Sequence, residues 1–184
     1  MKSVLAIQGS PRKGGNTQLL VEKILEGARD SGATTEMLQL ADMAIAECDG
    51  CHVCWQGDDC PKDDDMNAVF PKLARSDVVV LGTPVYWYGP TALMKAFVDR
   101  FCYFNCPENR PKIRGKRAVL VVPFEETSAE TAAPLVAMFE KSLAYLEMNL
   151  AAAIIVPGVG EKGAILEHPG RLQEAYDLGR RLAA

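Results

Sequence analysis

Five short apolar runs punctuate this chain, at Ser3–Ile7, Thr35–Leu40, Asp77–Gly82, Arg117–Pro123 and Ala152–Pro157. The third and fourth, DVVVLG and RAVLVVP, are valine-rich and show no strict alternation of apolar and polar residues. A strand with one face in water alternates. A strand covered on both faces does not, and such strands belong to parallel sheets. Helical spacing fills the intervals. Leu20, Ile24 and Ala28 share one face, with Val21 and Leu25 beside them, up to a stop at Gly32. Asp64 or Asp65 can cap a second helix through Met66, Val69, Phe70 and Leu73. Leu93, Phe97 and Phe101 mark a third, and Leu135, Met138, Phe139 and Leu146 a fourth. Leu172, Ala175, Tyr176 and Leu182 mark a fifth. Strand and helix alternating five times predict a doubly wound α/β fold, a three-layer sandwich around a five-stranded parallel sheet.

The 184 residues suffice for one domain with a substantial core, and no linker is long enough to split them. The net charge of −4 gives no footprint for nucleic acid. The basic run Arg110 to Arg117 reads as a solvated loop before a strand. No apolar run is long enough to span a bilayer. The N-terminal run is too short for a signal-peptide core, so no membrane partner and a cytoplasmic location are expected. Six cysteines in a reducing compartment point to ligands or redox chemistry rather than a disulfide scaffold.

The first strand runs into GSPRKGGNT, which feeds a helix near Asn16 or Thr17. Helix N-termini offer free N–H groups and a partial positive charge, so they favour anions. Gly9, Gly14 and Gly15 permit close backbone approach; Ser10, Asn16 and Thr17 add donors, and Arg12 adds a cation. A Walker loop needs a lysine before the final Ser/Thr, and here Asn16 precedes Thr17. A dinucleotide fingerprint needs G-x-G-x-x-G and an acid ending strand two, where this chain has Leu38, Gln39 and Leu40. A single terminal phosphate remains, beside the plainer reading of a glycine-rich turn. After strand three comes TPVYWYGPTALMKAFVDR, with Pro84, Tyr86, Trp87, Tyr88 and Gly89 crowded in one loop. Their flat faces suit a planar ligand, or else plug the sheet end or form an oligomer contact. In a sheet ordered 2-1-3-4-5 these two loops flank the topological switch point, where ligands bind. A phosphate seat beside a planar-ring seat predicts FMN.

The fourteen-residue segment CDGCHVCWQGDDCP spaces Cys48, Cys51, Cys54 and Cys60 at intervals x2, x2 and x5. Thiolates at such steps can wrap an iron–sulfur cubane, and bacterial ferredoxins use a similar run ending Cys-Pro. Free thiols and zinc are the other readings, although the paired knuckles of a zinc ribbon are absent. His52 reads as a bystander, Cys102 and Cys106 as buried thiols, and His168 as part of a proline turn. The aspartates Asp58, Asp59, Asp63, Asp64 and Asp65 read as a solvated loop and helix start rather than a cation site.

GSPRKGGNT, the cysteine segment and TPVYWYGPTALMKAFVDR together resemble the NAD(P)H-dependent FMN reductase and iron–sulfur flavoprotein group of flavodoxin-like proteins, over about Met1 to Pro123. The resemblance implies one flavodoxin-like FMN-binding domain over 1–184 with a cysteine-rich insert at about 41–61. It implies phosphate contacts from Ser10, Arg12, Asn16 and Thr17, and ring contacts from Pro84, Val85, Tyr86, Trp87 and Gly89. It also implies a homodimer or homotetramer, with the third helix, Thr91 to Phe104, in the interface. Cys48, Cys51, Cys54 and Cys60 would be the ligands of a [4Fe-4S] cluster. The activity implied is flavin-centred electron transfer from NAD(P)H to free flavin, a quinone, a metal ion or the cluster, with no catalytic residue required. Apart from the resemblance, the charges of Arg12 and Lys13 alone suggest that they draw in the NAD(P)H pyrophosphate. The alternative is an iron–sulfur electron carrier taking single electrons from ferredoxin. Phe124 to Ser128 departs from the small or glycine-containing segment common in relatives, so no flavin contact is assigned there.

Overall fold

The computed structural model describes residues 1–184. Five parallel strands form one sheet in the order β2-β1-β3-β4-β5. They are β1 (Ser3–Gln8), β2 (Thr34–Gln39), β3 (Val78–Gly82), β4 (Arg117–Pro123) and β5 (Asn149–Val156). The helices are α1 (Asn16–Asp30), α2 (Met66–Arg75), α3 (Ala92–Asp99), α4 (Ala133–Tyr145) and α5 (Pro169–Ala183). This is the doubly wound arrangement expected from the apolar runs, with the flavodoxin-like strand order that the family resemblance implies.

Side chains alternate across the sheet and so build two cores. Leu5, Ile7, Val79, Leu81, Leu120 and Val122 face α2, α3 and α4. Val4, Ala6, Val78, Val80, Val119 and Val121 face α1 and α5. The absence of alternation in DVVVLG and RAVLVVP follows from this double burial. On the second face α1 and α5 touch backbone to backbone. A Cβ on Gly27 would stand 2.0 Å from Tyr176 O, and one on Gly179 would stand 1.9 Å from Ile24 O. Only glycine fits at that crossing.

Two boundaries differ from expectation by three residues or more. The fifth strand starts at Asn149 rather than Ala152, because the edge position leaves Asn149, Ala151 and Ala153 exposed and so weakens the apolar signal. The third helix is α-helical only to Asp99 and tightens into a 3₁₀ turn over Arg100–Phe104. There Arg100, Phe101, Tyr103 and Phe104 are all buried, against α2 and the cysteine segment at once.

The functional consequence lies at the carboxyl ends of β1 and β3. Gln8 and Gly82 are register partners on neighbouring strands. From there the chain leaves to opposite faces, into α1 on one side and towards α3 on the other. A crevice must open between the two departing loops.

Candidate flavin site and thiol site

Helix α1 begins with its backbone donors free. Its N-cap is Gly15, no side chain caps it, and its first turn carries no acid. The preceding loop is held from both sides of the crevice. Gly9 N–H donates to Gly82 O at 2.8 Å. The Thr91 hydroxyl donates to Gly9 O at 2.6 Å and accepts from Met94 N at 3.1 Å, so one buried side chain caps α3 and pins the loop. A Cβ on Gly9 would meet Met94 Cβ at 2.9 Å, which explains glycine there. Within the loop, the Ser10 hydroxyl accepts from Arg12 N at 3.2 Å.

Ser10, Arg12, Asn16 and Thr17 share one cleft of about 120 Å³ with Pro84, Val85 and Tyr86. Thus seven of the nine expected cofactor-binding residues come together. The other two, Trp87 and Gly89, do not line it, although they belong to the same turn as Tyr86. Trp87 and Tyr88 have positive φ, 49° and 63°. Tyr86 and Gly89 exchange backbone hydrogen bonds at 2.8 and 3.0 Å across them. The result is a two-residue hairpin turn of the primed kind, normally built from Asn-Gly. Here bulky aromatic residues occupy it. Trp87 is 96% exposed and does not line the cleft.

Asn16 uses its side chain differently from a simple anion ligand. Its amide nitrogen donates to Val159 O and Glu161 O at 3.0 and 2.8 Å, and its oxygen accepts from Ile165 N at 3.1 Å. It ties the loop after β5 to the start of α1 and leaves its backbone N–H for an anion. Arg12 supports the same loop by donating to Gly160 O at 2.8 Å. Lys13 is paired with Asp42 at 2.5 Å, away from the cleft. A second cation of the cleft is Lys162, whose Cε and Nζ lie 3.6 and 3.8 Å from where a Cβ on Gly14 would stand, beside the phosphate loop; the sequence reading missed it. It also missed Pro123, Phe124, Glu125, Glu126, Val159 and Gly160 along the cleft. A signal existed for the last loop: VPGVGEKG is a second glycine-rich stretch at the carboxyl end of a strand. The residues present suit FMN. Uncapped N–H groups, Arg12 and Lys162 fit one phosphate, and Tyr86 of the aromatic turn lines the same cleft.

The cysteine segment lies on the α2–α3 side. Cys54 is buried, Cys48 and Cys60 are half-buried, and Cys51 is exposed. Burial pushes the Cys54 thiol up to about 12, with the Cys102, Cys60 and Cys48 sulfurs nearby adding to the effect. Burial also pushes Cys102 up, against the opposing donation of Trp55 Nε1 to its sulfur at 3.0 Å. Cys102 therefore belongs to this thiol neighbourhood, 48 positions after Cys54 in the chain. Its neighbour Cys106 is buried elsewhere, its sulfur 3.9 Å from Tyr103 O. His52 stacks on Trp55 with centroids 4.0 Å apart. The aspartates are used locally. Asp64 accepts from Ala46 N and Met66 N, each at 3.0 Å, and Asp65 from Ala44 N at 2.7 Å.

Arg100 closes the site from beneath. It is 2% exposed and pairs with Asp64. It donates to Ala46 O at 3.0 Å and to Cys60 Sγ at 3.2 Å. No three His, Cys, Asp or Glu side chains converge as they would around one ion. A cubane asks less of its ligands, because each thiolate binds a different iron. N–H donors aimed at thiol sulfurs are the usual surroundings of such clusters, and Cys48, Cys54, Cys60 and Cys102 with Trp55 and Arg100 suit that chemistry, whereas the expected ligand Cys51 is exposed and stands outside this group.

A flavodoxin-like sheet with an anion seat and an aromatic turn at its switch point defines a flavoprotein class. The solved structures agree on the fold. A flavodoxin from the domain Archaea superposes with a TM-score of 0.61 at 13% identity, covering 100% of this chain and 96% of that one. An FMN-dependent NADH-azoreductase from Bacillus anthracis str. Ames Ancestor, in complex with FMN, gives 0.73 at 11% identity and covers both chains fully. Residues 2–156 match the NADPH-dependent FMN reductase family, and the chain belongs to it. It is thus a flavin oxidoreductase of the NAD(P)H-dependent FMN reductase type. An iron–sulfur flavoprotein of Archaeoglobus fulgidus is 32% identical over 188 aligned positions, spanning 100% of this chain and 79% of that protein. An iron–sulfur flavoprotein of Methanocaldococcus jannaschii is 40% identical over 97 residues, 53% of this chain and only half (50%) of that protein.

No helix is long and apolar enough to cross a membrane.

Proposed function

We propose that the protein carries electrons from NAD(P)H, through FMN held at the β1/β3 switch point, to a small acceptor: free flavin, a quinone, a metal ion or an iron–sulfur cluster. The observation that carries this reading is the facing pair formed by the uncapped N-terminus of α1 and the aromatic turn Tyr86–Gly89. When bound, FMN supplies the hydride-accepting ring and passes the electrons on. The chain supplies position and charge. Backbone N–H groups of α1, with Ser10, Arg12, Asn16 and Thr17, hold the phosphate. Pro84, Val85, Tyr86, Trp87 and Gly89 support the ring, and Lys162 adds a second cation beside the phosphate loop. The FMN complex of the azoreductase neighbour supports the choice of ligand.

The exposed Trp87 and Tyr88, next to Tyr86 of the cleft wall, favour a homodimer or homotetramer in which a second copy covers the ring. The test of the main reading is anaerobic. NAD(P)H added without a mediator bleaches the yellow absorbance of the FMN-loaded protein. A flavin that stays oxidised under excess NADH and NADPH contradicts it.

A second reading rests on the thiol site. Cys48, Cys51, Cys54 and Cys60 holding a [4Fe-4S] cluster would make the protein an electron carrier that accepts single electrons from ferredoxin; relatives named iron–sulfur flavoproteins support the cluster in this reading. Reduction of the flavin by reduced ferredoxin, with none by NAD(P)H, would favour this second reading.

A further inference from the structure

A buried arginine needs a reason. Arg100 has 2% of its surface exposed, and an arginine is seldom buried so completely unless its charge is compensated. Its guanidinium divides its donors among three elements: the Asp64 carboxylate before α2, the Ala46 carbonyl before the cysteine segment, and the Cys60 sulfur at that segment's end. Replacing such a pair with apolar residues is commonly neutral or stabilising, so fold stability alone is a weak reason to keep it. The contact with Cys60 supplies a chemical one. Nothing in the flavin cleft touches Arg100. It sits at the far end of α3, whose near end is pinned to the phosphate loop by Thr91.

We propose that Arg100 is the positioning residue of the thiol site: acting through Cys60 Sγ, it orients that sulfur as a ligand and raises the reduction potential of an iron–sulfur cluster bound there. This rests on the cluster reading given above. The physical argument is short. A reduced cluster carries one more negative charge than an oxidised one. A fixed cation and its N–H bond to a ligand sulfur stabilise the more negative state more, which raises the potential. The effect is large where water cannot screen it, and Arg100 is buried. Asp64 opposes part of the charge but leaves the donated hydrogen bond, and it holds the guanidinium in place. Trp55 makes the parallel bond to Cys102 at 3.0 Å, so two N–H donors face this group of thiols.

The test uses the full chain, purified and reconstituted with iron and sulfide without oxygen. Arg100→Met alone would strand a buried carboxylate, so it is combined with Asp64→Asn; Arg100→Lys is the second variant, keeping charge but losing the planar fork. Folding is checked by FMN binding, which neither substitution touches. The readouts are the midpoint potential, by mediated titration followed with electron paramagnetic resonance, and the rate of iron loss to a chelator. We expect the double variant to show a more negative midpoint and at least tenfold faster iron loss, with Arg100→Lys between it and wild type. A folded double variant with wild-type midpoint and iron retention overturns the proposal; if the double variant does not fold, a wild-type midpoint in Arg100→Lys does so. Wild-type protein that takes up no iron overturns the cluster reading itself, before any variant is measured, and the proposal with it.

Discussion

The turn at Trp87 and Tyr88 places stability and ligand binding in opposition. Both residues are non-glycine with positive φ. The left-handed conformation costs an L-residue about 1–2 kcal/mol, so the pair stores roughly 2–4 kcal/mol. Changing them to Asn-Gly, the favoured pair for this turn, removes most of that strain. Glycine returns about 0.5–1 kcal/mol through the entropy of the unfolded chain. Little packing is lost, since Trp87 is 96% and Tyr88 61% exposed. The net gain is about 1–2 kcal/mol. In a chain of this size each kcal/mol moves Tm by about 2–4 °C, so the FMN-free W87N/Y88G variant should melt about 2–8 °C higher. Flavin binding should move the other way. Loss of the aromatic platform costs about 1–1.5 kcal/mol of stacking, roughly a tenfold rise in Kd. Thermal melting by circular dichroism gives the first quantity and flavin fluorescence quenching the second. An unchanged or lower Tm would refute the strain argument. An unchanged Kd would refute the role of the turn as a ring support.

Three other outcomes follow from the same geometry. Arg12→Ala should weaken FMN about 10- to 100-fold by removing a charge-assisted contact of about 1.5–3 kcal/mol, while riboflavin affinity, read in the same titration, stays put. Thr91→Val should cost about 1–2 kcal/mol in denaturant unfolding through loss of the α3 cap and should also weaken FMN; Thr91→Ser should restore both. Burial works to raise the Asp64 carboxyl, but donation from Arg100 and from the Ala46 and Met66 N–H groups prevails and holds it below the ordinary carboxylate value. A carboxyl with a depressed folded value stabilises the fold above the unfolded value and loses that contribution as pH falls through the folded one. The stability difference between wild type and Asp64→Asn should therefore be full at neutral pH and shrink below about pH 4, as measured by urea midpoints.

What could be read from the residues divides along physical lines. The sheet was legible because double burial leaves its mark on every position of β3 and β4, and the helices because their apolar faces repeat every three or four residues. The two loops at the switch point were legible because their role depends on chain position, directly after strands one and three. The glycine-rich stretch VPGVGEKG at the end of β5 likewise marked the loop of Lys162, whereas the wall contributed by Phe124 and Glu125 was not legible, since ordinary residues acquire their place only when β4 stacks beside β3. Cys102 was beyond reach for a similar reason. Its partners are far off in sequence, and only the 3₁₀ turn after α3 brings it beneath Trp55. The exposure of Trp87 was also hidden, because its backbone conformation comes from the hairpin closed by Tyr86 and Gly89.

The central claim is that the cleft between the β1 and β3 loops is built for a flavin bearing one phosphate. Calorimetric titration of the flavin-free protein with FMN and with riboflavin tests it most directly. The account expects one FMN per chain, bound at least tenfold more tightly than riboflavin. Equal affinity for the two, or no heat with either, would contradict it.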